Sequence, residues 1–373
     1  MENKSTHKVE VVKIEKILEH PNADKMKIVK IWGFTCCVGL NQFKEGDLVA
    51  YIQPDSIVPP TKEYSFLNRG ESLDDFPERR RRITVKKLRG IISQGLVMPA
   101  PEGSKEGDDV TEIMNITHYE PAPFSQGKGG GKINSGEQDK TPEGYYPNYD
   151  VDNFNRYMKV FKEGEKIVCT EKVHGANSCY SYWNNRLYAR SRKLWKRPTK
   201  ETFFSNYYEG WFEKLLIRIQ MFFGKQKFAR KESDWWVAIN KHPEIKRFLK
   251  ECPYATVYGE IYGKVQSLRY GKPEEVDLVL FDILIGDRWL NFDETREIVK
   301  KYNLPWVPLV YEGPYDEEKL RALAETDSRL AEQNGVDGQI MEGIVIKPKK
   351  ERTDSKIGRV QLKLVSNRYY QEG

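Results

Sequence analysis

The stretch Lys166–Asn177, KIVCTEKVHGAN, decides how the chain is read. Its first half is apolar and β-branched enough to be a strand, and it runs through Glu171 and Lys172 into a glycine turn at Gly175. Apolar neighbours can bury the stem of Lys172, and burial, nearby cations or metal ions lower a lysine's pKa; only the neutral amine can attack phosphorus. Lys172 is therefore a candidate nucleophile. Standing alone, K-x-H-G fixes three residues and fits an ordinary surface lysine before a turn equally well. Strand text continues beyond it as SCYSYW (178–183) and RLYARS (186–191), with WNNR as the hairpin turn between them.

Working outward, residues 8–101 are short β-rich runs, VEVVKIEKI, MKIVKIWG, DLVAYI and GLVMP, broken by HPNAD, FKEGD and PPTKE. That pattern describes a small barrel or sandwich. SQGKGGGKINSGEQDKTPEG (125–144) is too rich in Gly, Ser and charge to bury much surface and reads as a linker. The expected division is thus 1–122, a linker at 123–144, and 145–373. In the last part, WFEKLLIRIQMFF (211–223) and DWWVAINKHPEIKRFLK (234–250) have helical apolar spacing. ATVYGEIYG, DLVLFDIL and GIVIKP then read as strands, with helices over Glu294–Tyr302 and from Glu317 to about Leu330.

The 373 residues exceed what one core usually supports, and 39% hydrophobic against 31% charged residues suits packed cores under a solvated surface. A net charge of +6 suits a polyanionic partner. Five cysteines, odd in number and never spaced CxxC, argue against a disulfide framework or a zinc knuckle and for a reducing, cytoplasmic setting. No apolar run reaches membrane-spanning length.

After Lys172 come, in order, Ser191-Arg192, VYGEIYG (257–263), DLVLFDI (277–283), EGIVIK (342–347) and VQLK (360–363). This ordered series resembles the motifs of the covalent nucleotidyltransferases, the superfamily of DNA ligases, RNA ligases and capping enzymes, over residues 145–366. The HG that follows Lys172 by one residue is similar to RNA ligases, where DNA ligases and capping enzymes carry DG. HPNADK resembles a tRNA-binding OB module, and KKLRGIISQGLVMP with NYDVDNFNRY is similar to RNA ligases that carry an OB domain ahead of the catalytic one. On these motifs the chain is identified as a member of the fifth RNA ligase family. The resemblance implies an α+β protein: an N-terminal OB-like barrel, then an ATP-grasp-like nucleotidyltransferase domain of antiparallel sheets with flanking helices.

It also implies roles. ATP and Mg2+ or Mn2+ would be the cofactors, and RNA the partner, alone, in an RNA–DNA hybrid or in a nicked duplex, with the protein acting as a monomer. Lys172 would be adenylylated, and AMP would pass to an RNA 5′-phosphate before a 3′-OH seals the break. Forming lysyl-AMP concentrates negative charge, so cations must converge on the phosphates. Lys363 would contact the α-phosphate. Arg192 matches the arginine of the second motif and is preferred because it follows a serine, although Arg190, one pleat repeat away, could hold that role instead. Glu260 resembles the glutamate that serves ribose and nucleophile, and Glu342 the one that organises the metal. Phe281 is either the adenine-stacking aromatic or a strand core residue, and Asp282, on the opposite side of that strand, caps the turn. His174 and Asn177 resemble residues used after the lysine is charged, and Glu171 and Gly175 complete the nucleotide-binding set. Lys347 is either a phosphate ligand or a solvated strand end. Gln361 departs from the family's pattern of two lysines flanking one residue, so either Lys347 or Arg359 would supply the missing charge or the nucleotide would bind more weakly.

The cations Arg79–Arg82, Lys86, Lys87 and Arg89 form a dense run expected to contact phosphates. Trp32 and Tyr51 either stack bases or fill the barrel. Two rival readings stand beside the main one: a DNA ligase or capping-type enzyme, for which DG and a trailing barrel are missing, and a nucleotide-holding RNA-binding protein, which only Gln361 favours.

Overall fold

The computed structural model describes residues 7–68, 72–119, 138–206 and 227–372. The apolar run 211–223 and most of the Gly/Ser-rich segment, through residue 137, lie outside them. The chain forms two compact units: the residues up to Tyr119 with Asp152–Tyr157 and Tyr370–Glu372, and Gln138–Val151 with Met158–Tyr369.

The first unit is built from short antiparallel strands. Strands β1 (Glu10–Lys13), β5 (Leu48–Ile52) and β8 (Leu96–Pro99) form one three-stranded sheet in the order β1-β5-β8. Strands β2 (Lys16–Glu19), β3 (Met26–Ile31) and β4 (Phe34–Gly39) form another, and β6 (Val85–Leu88) pairs with β7 (Ile91–Gln94). Strand β4 alternates buried and half-buried residues, as a one-sided strand must. The run VEVVKIEKI, one stretch in the sequence, divides into β1 and β2 around Ile14 and Glu15. Tyr51 fills the barrel: it is buried, its hydroxyl donates to the Gln94 carbonyl at 2.7 Å, and the rings of Trp32 and Phe34 pack on it.

In the second unit, β9 (Lys166–Glu171), β14 (Leu309–Pro314), β15 (Gly343–Pro348) and β16 (Leu362–Val365) form consecutive strands in the order β16-β15-β9-β14. A second sheet carries, in order, β11 (Arg186–Arg190), β10 (Ala176–Trp183), β12 (Ala255–Gly263) and β13 (Val276–Ile285). Asn184 and Asn185, both at positive φ, make the two-residue hairpin turn between β10 and β11. One face of this second sheet packs Tyr180, Val257, Leu280 and Ile283 against Trp236, Ile239 and Phe248 from the helices. Each such side chain contributes about 1.5–3 kcal/mol. Pro243 has no N–H to continue a helix, so the 234–250 run splits into α1 (Asp234–Asn240) and α2 (Pro243–Glu251). Helix α3 (Phe292–Tyr302) starts in a capping box of Asn291 and Glu294. The single helix expected from Glu317 to Leu330 is instead α4 (Glu317–Ala324) and α5 (Arg329–Gln333), because Ser328 caps a new helix by accepting from the Ala331 N–H at 3.0 Å.

Candidate active site

Lys172 follows the last residue of β9, and its N–H continues the ladder to the Gly343 carbonyl at 2.8 Å. Its Nζ lies 2.6 Å from Oε1 of Glu342, which directly precedes β15. Burial opposes the charge on Lys172, but Glu342 and Glu260 outweigh it, so the pKa sits above that of an ordinary lysine. Without nucleotide or metal the direction is thus opposite to the expected depression: the amine is held as an ammonium, paired directly with the Glu342 carboxylate. Burial, with Glu342 adding to it against the pull of Lys172, pushes Glu260 up to about 8. Glu342 goes down despite burial, because Lys172 and His174 favour its charge.

Gly175 must be glycine, since a Cβ there would collide with the Ile261 carbonyl oxygen and approach Glu260 Cγ at 2.8 Å. The close approach brings the Lys172 turn down onto β12, and Asn177 lies directly opposite Glu260 across the β10–β12 ladder. The His174 N–H donates to the Tyr270 hydroxyl at 2.7 Å. The imidazole lies 3.3 Å from Ser267 Oγ and 3.3 Å from the Tyr369 hydroxyl, with Glu342 Oε2 3.5 Å from Nδ1. That Oε2 is buried, with no partner closer than the His174 ring.

Registers decide which other cations can join. Lys347 pairs with Val168, Thr170 with Val345, and Val345 with Lys363. By strand alternation Lys172, Lys347 and Lys363 thus belong to one face of their sheet. A cleft opens on that face between Val168, Thr170, Val345 and Lys347 on one side and Phe281 and Asp282 on the other.

A sequence model of the RNA ligase family matches residues 165–365, which is more than half of the chain and holds Lys172, Glu260, Glu342 and Lys363. The chain belongs to the RNA ligase family. An OB-fold domain model matches residues 8–100. No curated protein sequence matches. Among solved structures, the RNA ligase of Naegleria gruberi with pyrophosphate is 21% identical, covers 99% of both chains and has a TM-score of 0.69. A mutant of it with ATP and manganese is 22% identical over 98% of this chain and 97% of that one, at 0.69, and a mutant with AMP and manganese is 21% identical over 98% and 99%, at 0.71. At these identities the likeness shows a shared fold.

The remaining residues of this RNA ligase domain separate into groups. Phe281 and Asp282 do not lie on opposite sides: a β-bulge at Tyr258/Gly259 pairs Asp282 with Tyr258 and Leu280 with Gly259, so both Phe281 and Asp282 line the cleft. Nor is Asp282 a simple turn cap. Its Oδ2 accepts from the Tyr149 hydroxyl (2.7 Å), Lys347 Nζ (2.6 Å) and Arg359 (2.7 Å). Although burial raises a carboxyl's pKa, Arg359 and Lys347 bring Asp282 down to about 2. Burial holds Lys347 below the ordinary lysine value, against the pull of Asp282. Lys347 is therefore no solvated strand end. Gln361 accepts from Arg359 at 3.2 Å and donates to the Asp150 carbonyl at 2.7 Å, which gives its neutral amide a framework role.

Two nucleotide-site expectations lie elsewhere. The Glu171 carboxylate is buried and accepts from Ser328 Oγ (2.5 Å) and the Leu330 N–H (3.0 Å), fixing the start of α5 rather than facing the cleft. Arg192 is exposed beyond β11 and pairs with Asp150, whereas Arg190 is buried and donates to the Tyr146 carbonyl at 2.9 Å. Arg190 pairs with Cys179, two residues from Asn177 on the same face. Tyr149, Tyr270, Ser267 and Tyr369 carry no motif that marks them; only Tyr149 stood in a stretch already singled out.

Proposed function

We propose that the chain is an ATP-dependent RNA ligase that joins a 5′-phosphate to a 3′-OH RNA end through lysyl-AMP and AMP-RNA. The observation that carries this reading is Lys172 Nζ paired with Glu342 at 2.6 Å, on the sheet face where a cleft with aromatic and cationic walls lies. In the first step the Lys172 ammonium gives up a proton to solvent, and the neutral Nζ then forms a bond to the α-phosphorus as the bond to pyrophosphate breaks. Lys363 and Lys347 are the cations for the phosphates, Phe281 stacks on the base, and Arg190 takes the second-motif role in preference to Arg192. Glu260 serves the ribose, with Asn177 beside it, and His174 acts after the lysine is charged.

The carboxylates fit a divalent cation. Glu342 Oε2 is buried with only the His174 ring near it, at 3.5 Å, and burial, with Glu342 adding to it, pushes Glu260 up to about 8. Magnesium is usually held by one or two protein carboxylates, with phosphates and water completing its shell. No group of three or more His, Cys, Asp or Glu able to hold a metal exists among the described residues. A magnesium or manganese ion would be held by Glu342, with Glu260 alongside, and when bound would set positive charge against the phosphates and loosen the carboxylates' hold on the Lys172 proton.

The division of labour we propose gives RNA contact to the barrel of residues 1–122 and nucleotidyl transfer to 145–373, joined through 123–144, in a monomer working on single or template-held RNA ends in the cytoplasm. Among the described residues no helix is long and apolar enough to cross a membrane. The test is incubation with α-labelled ATP, and separately GTP and NAD, with magnesium or manganese, followed by a denaturing gel. Label from ATP that is stable to denaturation and absent in Lys172→Ala is the expected result; no label from any nucleotide, in nucleotide-free protein, overturns the ligase reading.

A further inference from the structure

The run of cations in the first unit does not behave as one surface. Three of its arginines are engaged in the fold. Arg80 donates to the side chain of the buried Asn68 at 2.9 Å. Arg81 donates to the Phe76 and Val58 carbonyls, both at 3.1 Å. Arg82 pairs with Asp55 at 2.5 Å and lies 3.7 Å over the Tyr119 ring. A guanidinium held by internal carbonyls or a carboxylate is fixed in place by the fold and is not free to follow a phosphate.

The hairpin that follows is different. Lys86 and Lys87 on β6 and Arg89 at the turn are exposed, and none of these side chains makes an ion pair or hydrogen bond to the described residues. Arg89 and Gly90 have φ of 45° and 92°, the two positive values of a tight type I′ turn. The ribbon is stiffened from β4, whose Cys37 N–H donates to Ser93 Oγ at 3.0 Å and whose Thr35 N–H reaches Gln94 Oε1 at 3.3 Å.

The HPNAD turn braces the tip. Asn22 Nδ2 donates to the Arg89 carbonyl at 3.0 Å, and Nε2 of the buried His20 lies 3.2 Å from the Leu88 carbonyl. The Asn22 N–H reaches His20 Nδ1 at 3.2 Å, so Nδ1 is the acceptor and Nε2 carries the proton that Leu88 receives. HPNAD thus holds up the β6–β7 tip with two side chains and leaves its three cations facing outward.

We propose that this braced hairpin, through Lys86, Lys87 and Arg89, is the edge of the N-terminal unit that grips the phosphates of an RNA strand, and that the Arg80–Arg82 segment is scaffold. The proposal rests on the RNA ligase reading for the identity of its polyanion. Unpaired cations on a braced backbone have no protein partner to give up on meeting phosphates and release counterions, whereas arginines already bonded would have to leave their partners first. Lysines on an edge strand can also serve only to block strand pairing with another copy, and the experiment separates the two.

Full-length protein is titrated against fluorescent 5′-phosphorylated single-stranded RNA by anisotropy between about 50 and 200 mM salt. The variant K86Q/K87Q/R89N uses Asn at 89 because Asn tolerates positive φ. A charge-matched control, K44Q/K62Q/K105Q, removes exposed lysines elsewhere on the unit. The hairpin variant is expected to lower the slope of log K against log salt by about 2, at roughly 0.7–0.9 for each phosphate no longer neutralised, while the control leaves it near wild type. Asn22→Ala, which removes a brace and no charge, is expected to weaken RNA binding several-fold. Equal slopes for hairpin and control variants, or an unchanged slope with self-association of the hairpin variant, would overturn the proposal. Unchanged RNA affinity in Asn22→Ala would overturn the bracing. Lysyl-AMP formation by wild type from the same preparation reports the ligase reading separately.

Discussion

Replacing Asp282 with asparagine tests how the cleft is held open for its cations. Asp282 receives Tyr149, Lys347 and Arg359 on one oxygen, and Arg359 is also paired with Glu351 at 2.6 Å. A carboxyl held at about 2 rather than its ordinary 3.8 contributes about 2–3 kcal/mol at neutral pH, taking 1.36 kcal/mol for each pKa step. Asparagine keeps the shape and an acceptor but leaves two buried cations facing each other, and removing one partner of a buried pair costs about 3–5 kcal/mol. We therefore expect Asp282→Asn to lose about 3 kcal/mol, a fall in Tm of about 6–12 °C for a unit of this size. The sign with pH follows from the depressed carboxyl: its contribution is complete above about pH 5 and is lost as pH falls through the ordinary value towards 2. The gap between wild type and mutant should therefore narrow by about 1 kcal/mol between pH 5 and pH 3. Denaturant titrations at both pH values measure it. A loss below about 1 kcal/mol at pH 7, or a gap independent of pH, would refute the reasoning.

Gly175→Ala should cost at least about 2 kcal/mol and abolish lysyl-AMP formation, because the new Cβ meets the Ile261 carbonyl and lifts the Lys172 turn off β12; a folded variant with wild-type labelling would contradict this. Glu171→Gln should lower stability by about 1–2 kcal/mol, since the amide serves the Ser328 hydroxyl and Leu330 N–H less well than a carboxylate, while lysyl-AMP still forms. Its denaturation midpoint and labelling are read together, and loss of labelling without loss of stability would place Glu171 at the nucleotide instead.

Much of this protein was legible in its sequence, for local reasons. A β-branched run ending at Lys172, a glycine three residues on, and carboxylates at Glu260 and Glu342 are properties of short segments, and strands that alternate or helices with periodic apolar faces declare themselves over a few residues. The Asn184–Asn185 turn was legible in the same way. What only the tertiary structure decided was anything that depends on partners distant in the chain. The Lys172 ammonium is paired with Glu342, 170 residues away, and that partner outweighs the burial which, with nearby cations or metal, was expected to lower the lysine's pKa. Alternation put Phe281 and Asp282 on opposite faces, and one bulge set both into the cleft. Glu171 stands beside the nucleophile in sequence but answers to α5, and the arginine run divides between scaffold and surface according to whether an Asn68, a Val58 or an Asp55 waits opposite. A side chain's type is written in the sequence; its charge state and direction are set by long-range contacts that the local pattern does not contain.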